Sequence, residues 1–235
     1  PGGLDGRLDR KMTETAKEST DEGSTDTVLR RKLSAARPEE LPAGDPRAVL
    51  RAVRRALARA AEDVCDLPLA VMGAKQALCP QGGLNGYLAD DQLLIVLDGP
   101  TGVPGAVALD AAAVTAAIQQ QTMGQVSGRA PADRVYTGTD AAMIAPLIDA
   151  MLARAEQGLA DTTDQHRVLG FRFGARVEDV RSLLLMLEMD SYLAFDLALD
   201  LAVGCMQGRM CLILPDIPDG SLADAETDSE QEGGI

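Results

Sequence analysis

The sequence predicts an α+β domain over residues 44–216, flanked by unstructured segments at 1–43 and 217–235. Three observations carry that expectation. Apolar residues recur at helical spacing over 46–65 and again over 139–158. A strict period of two runs from Leu193 to Val203, where every odd position is apolar. Finally, the two halves rhyme: each gives a long helix, a strand, an excursion and a hairpin, as in a duplicated helix-plus-three-strand unit with its helices packed on one sheet.

In "DPRAVLRAVRRALARAAEDVC", Asp45 is the expected N-cap and Pro46 the first helical residue. Val49, Leu50, Val53, Leu57 and Ala60 form its apolar stripe, and five arginines, at 47, 51, 54, 55 and 59, fill the rest. That basic face reads either as a membrane-surface or anion-binding helix, or as a domain face meeting acidic neighbours; the second is favoured. A strand is expected at 67–78, turn material at 79–86, and strand, Gly/Pro loop and strand across "DQLLIVLDGPTGVPGAVALD". Asp110 caps an Ala-rich helix to about Thr122, and 123–139 is a loop. Thr139 or Asp140 caps the next helix, to about Gly158, with Met143, Ile144, Leu147, Ile148, Met151, Leu152 and Ala155 on its core face. A strand at 166–177 and a short helix from Glu178 follow. In the last hairpin "QG" at 207–208 is the expected turn, and Pro215 ends the pairing.

Composition excludes several classes. Of 235 residues 46% are hydrophobic but only 3% aromatic, so the core must be built from Leu, Val, Ala and Met. A formal charge of −14 argues against a nucleic-acid binder, because phosphate contact needs a basic surface. No apolar run approaches the roughly 18–20 residues of a membrane span, and no segment has the order of a signal peptide. Cys65, Cys79, Cys205 and Cys211 lack CxxC spacing and read as reduced thiols, with Cys205 and Cys211 as small apolar fillers. The segment "PGGLDGRLDRK" before Met12 is expected to be either non-native or an over-long start, and "TVLRRKLSAARPEEL" (27–41) either a solvated linker or a short helical ligand.

No catalytic constellation emerges. His166 is the only histidine, which leaves nucleophilic catalysis dependent on one residue beside a strand. No zinc spacing and neither glycine-rich phosphate motif occurs, and "GPTGVPG" precedes a strand rather than a helix. Asp196 and Asp200 share a strand face and read as a solvated edge in preference to a weak cation site. No cofactor is expected.

The run at 91–122, the "YTGTD" entry into the helix at 139–158, and the terminal "FDLALDLAVGCMQGRMCLILP" resemble the middle domain of the flagellar motor switch protein FliM family. Tyr136–Thr137 stand where that family has an aromatic–Thr pair, Thr139 matches a Thr opening the long helix, and Gly208 and Pro215 fill the hairpin's Gly and Pro positions. The resemblance implies a CheC-like fold and a non-enzymatic, cytoplasmic ring subunit at the membrane-associated basal body. It implies contacts with the upper switch protein FliG, with neighbouring FliM copies, with FliN, and with phosphorylated CheY through the N-terminal tail. The FliG-facing loop maps to Met123, Gly124, Gln125, Gly128 and Arg129, and the tail motif to Leu33, Ser34, Glu39, Glu40 and Leu41. Three departures are visible: the tail motif is largely absent, the Gly-Gly-x-Gly loop is eroded to "MGQVSG", and the FliN-like C-terminal domain has no counterpart, which fits either truncation or a divergent paralogue. Alternatives are a type III secretion sorting-platform component and a CheC-type response-regulator phosphatase. The last is disfavoured, because the catalytic Glu and Asn positions of that helix fall on Ile144 and Leu147.

Overall fold

A computed structural model describes residues 46–129 and 134–217. Helix α1 (Pro46–Cys65) leads into strand β1 (Leu69–Pro80), β2 (Leu93–Asp98) and β3 (Gly105–Leu109). Helix α2 (Ala111–Met123) crosses to α3 (Gly138–Gly158), followed by β4 (Arg172–Val177), α4 (Val180–Met186), β5 (Ser191–Leu201) and β6 (Met206–Pro215). The six strands form one antiparallel sheet in the order β1-β5-β6-β3-β2-β4.

That order has a simple symmetry. Exchanging β1, β2 and β3 for β4, β5 and β6 turns it into its own reverse. Each half therefore contributes a helix, an edge strand and a hairpin, and the two hairpins meet at the central β6–β3 pair. The rhyme read in the sequence is a rhyme in topology.

One face of the sheet carries α1, α2 and α3. Val53, Leu57, Ile144, Ile148, Met151 and Leu152 from the helices pack on Leu93, Ile95, Val107, Phe195, Leu197 and Leu212 from the strands, all of them buried. The two long helices approach closely because their contact is made of small residues. A Cβ on Gly158 of α3 would lie 3.7 Å from the Ala52 methyl of α1. The excursions cover part of the other face, where Leu84 and Leu88 meet Leu183 and Leu187 over Leu94, Ala108, Tyr192 and Ile213. Gln81 ties them together, its amide donating to the carbonyls of Leu184 (3.0 Å) and Leu187 (2.5 Å).

Four expectations are corrected. The β5–β6 turn is made by Ala202–Cys205, not by Gln207–Gly208, so Val203 is a turn residue exposed to solvent rather than the last of the core-facing series. Gly208 lies within β6, opposite Leu199. It is a close-approach glycine: a Cβ there would sit 2.9 Å from Leu201 Cδ1, 3.1 Å from the Ala113 backbone nitrogen and 3.2 Å from Asp110 Oδ1. The start of α2 presses on the strand at that point, and Asp110 caps the helix by accepting from Ala113 N–H at 2.8 Å. Gly208→Ala is therefore expected to cost about 1–3 kcal/mol by overpacking, measured by urea denaturation.

Helix α3 is capped by Thr137, not by Thr139 or Asp140, because Asp140 is the reciprocal partner of that cap. The segment before β4 is a short 3-10 turn at Gln165–Arg167, and pairing with β2 begins only at Arg172. Cys211 is buried as expected, but Cys205 is exposed on the turn and is no filler. Arg54 and Arg55 of α1 donate to the carbonyls of Val71 and Arg51.

Among the described residues no helix is long and apolar enough to cross a membrane.

Candidate functional site

The loop after α2 is the feature that sequence reading singled out, and its geometry is specific. Met123 is the last residue of α2 and half-exposed. Gly124 terminates the helix in the left-handed region (φ 68°), its N–H bonding back to the Gln120 carbonyl at 2.9 Å. That backbone state favours glycine and sends the chain away from the helix axis. Gln125, Gly128 and Arg129 are exposed, and Gly128 takes a second left-handed turn (φ 73°).

Described residues on either side of the loop make specific contacts. On the near side Gln119 accepts from the Ser127 N–H at 2.9 Å, and its amide donates to the Ser127 hydroxyl at 2.9 Å. The Cys205 thiol of the β5–β6 turn donates to the Val126 carbonyl at 3.4 Å, and Val126 is the half-buried foot of the loop. On the far side Arg134 reaches back over α2, donating to the buried Thr115 hydroxyl at 3.1 Å. It also pairs with Asp140 and lies 5.9 Å from the Tyr136 ring centroid. Tyr136 is buried and donates to the Asp91 carbonyl at 3.1 Å; burial pushes its hydroxyl pKa up to about 12.

Asp140 is the hinge of this clamp. Its carboxylate accepts from the Thr137 N–H and hydroxyl, each at 2.8 Å, while Thr137 Oγ1 accepts from the Asp140 N–H at 3.2 Å. Partial burial would raise its pKa, but the Thr137 bonds and the Arg134 guanidinium outweigh that and hold the carboxyl below its usual value. A depressed folded-state pKa means stability that is complete above the ordinary carboxylate value of about 4 and lost as pH falls through the folded value. Asp140→Asn is accordingly expected to lower the melting temperature at pH 7 and to flatten its fall below about pH 4. A melting series from pH 7 to pH 2 tests this.

Other sequence candidates resolve differently. Leu33, Ser34, Glu39, Glu40 and Leu41 lie outside the described residues. Asp196 is engaged by Arg209 at 2.6 Å, and Asp200 accepts from Gln207 Nε2 at 2.5 Å and Gly204 N–H at 3.0 Å. Among the described residues no His, Cys, Asp and Glu group is placed to hold a metal ion. The Thr163 carbonyl lies 2.6 Å from His166 Nδ1. Ile144 and Leu147 are buried in the core face of α3 and offer no polar group to a substrate. Sequence reading missed Arg134, whose partners are nineteen and six residues away. It also missed the contact between the hairpin turn and the loop, which no local pattern announces.

No protein-family model and no curated protein matches this sequence. Solved structures do match. A chain of the FliG–FliM complex from H. pylori aligns at TM-score 0.56 and 11% identity, covering 76% of this chain and 94% of that one. A chain of the FliM–SpeE complex from H. pylori aligns at TM-score 0.53 and 12% identity, covering 78% and 93%. The FliM middle domain from H. pylori aligns at TM-score 0.50 and 10% identity, covering 76% and 94%. Identity this low carries architecture and not activity. The six-stranded antiparallel sheet with its paired long helices is the fold of the FliM middle domain.

Proposed function

We propose that this chain is a protein-binding subunit of a flagellar motor switch, and that the loop of Met123, Gly124, Gln125, Gly128 and Arg129 is its contact with FliG. The observation that carries the reading is the loop itself: exposed at those five residues, yet anchored at Val126 and Ser127 to the β5–β6 turn and to α2. Two glycines let its backbone approach a partner where side chains would intrude, and loops held this way are where binding tends to sit. The likeness in fold to a chain of the FliG–FliM complex supports the choice of partner. Neighbouring copies and FliN are further partners on this reading, phosphorylated CheY is a ligand of the N-terminal tail, and the location is the cytoplasmic side of the basal body. A non-enzymatic role agrees with the buried, apolar Ile144 and Leu147.

Calorimetric titration of the chain with FliG tests the proposal. Saturable one-to-one binding is expected, and no heat at micromolar concentrations would overturn it. Incubation with a phosphorylated response regulator should leave its decay unchanged. Faster dephosphorylation would put an enzyme in place of the scaffold.

A further inference from the structure

The β5–β6 turn is built from residues ill-suited to it. Ala202, Val203 and Gly204 all adopt positive φ (52°, 56° and 81°), and only one of them is glycine. A β-branched residue in the left-handed region is a true outlier, since its Cβ crowds the backbone. Glycine or asparagine would make the same turn without that cost. Nothing in the interior compensates, because Val203 is 86% exposed. The turn is nevertheless held firmly: the Ala202 N–H donates to the Pro68 carbonyl at 2.8 Å, and the Gly204 N–H to Asp200 at 3.0 Å. A strained, rigid and exposed valine indicates a demand from outside the fold.

The turn also adjoins the loop assigned to FliG. The Cys205 thiol bonds the Val126 carbonyl at 3.4 Å, and a Cβ on Gly128 would lie 3.3 Å from both the carbonyl oxygen and the sulfur of Cys205. On its other side Val203 borders a groove lined by Arg59, Glu62, Pro68 and Leu69. Loop and turn thus form one continuous surface, with Val203 as its fixed apolar projection.

We propose that the turn 202–205 is the second half of the surface that binds FliG, with Val203 inserting into an apolar pocket on that partner; this rests on the function proposed above. A side chain held in place before binding loses little freedom on association, which is what the strained backbone supplies.

Val203→Gly is the deciding variant, because it relieves the strain while removing the projection. The expected result is a raised melting temperature together with FliG affinity weakened about tenfold, the size of one well-buried interface side chain. Leu185→Ser, at an exposed residue of α4 over the opposite face of the sheet, should leave affinity unchanged. If the wild-type chain binds FliG and Val203→Gly binds equally well, the turn lies outside the interface and this inference alone fails. A lowered melting temperature in Val203→Gly would show that no strain is stored there and would also overturn it. A wild-type chain that does not bind FliG removes both readings together.

Discussion

Truncating Phe195 to alanine is expected to remove about 3–5 kcal/mol of stability, a large part of the 5–15 kcal/mol that a domain of this size has. Phe195 is fully buried on β5, paired with Gln76 on β1 and with Leu212 on β6. It faces the layer of α1, α2 and α3, and with only three phenylalanines in the chain the surrounding Leu, Val and Ala cannot fill the space a ring vacates. Strand backbones on both sides hold the cavity open, so collapse is limited and the penalty falls toward the upper end of the range. Leu78→Ala on β1, where the side chain is 61% exposed, should stay within about 0.5 kcal/mol. Urea denaturation of both variants makes the comparison. A loss below about 1 kcal/mol for Phe195→Ala would mean that the helical layer is not packed on β5 as described.

Charge reversal in the loop should do the opposite, sparing the fold and damaging binding. Gly124→Asp with Arg129→Glu places three negative charge increments on an exposed five-residue surface of a chain already at −14. A Cβ at Gly124 meets nothing within 4 Å, so the only folding penalty there is the left-handed backbone, about 1 kcal/mol for a non-glycine residue. Asp is among the residues that tolerate this conformation best. FliG affinity is expected to fall at least about tenfold while the melting temperature moves by only a few degrees. Undiminished binding by the folded double variant would place the contact elsewhere.

The parts of this structure that obey a period were legible in the sequence. The odd-numbered series from Leu193 to Leu201 faces the core as alternation demands, and the stripes of α1 and α3 are buried as their spacing demands except at Leu50 and Met143, which are half-buried. The hairpin turn was misplaced because glycine carries two meanings. At 208 it makes room for the start of α2, a tertiary contact, while the true turn uses Ala202 and Val203, residues that no turn rule selects. The cap of α3 was two or three residues out although its signal was present, since "TGTD" places an acid three residues after Thr137 as a capping box requires. The loop's glycines were visible in the sequence, but their left-handed backbone is a finding of the structure. The Arg134 contacts were not visible, because Thr115 and Asp140 are brought together by the packing of α2 against α3.

Amide hydrogen exchange of the chain with and without saturating FliG probes the central claim residue by residue. Gln125, Gly128 and Arg129 are exposed on the loop and Val203 on the turn, and on this account the exchange of their backbone N–H groups slows strongly in the complex. The edge strand β4 and the exposed face of α4 keep the rates of the free protein. Protection confined to β4 or α4, with unchanged exchange at 125–129, would contradict the account.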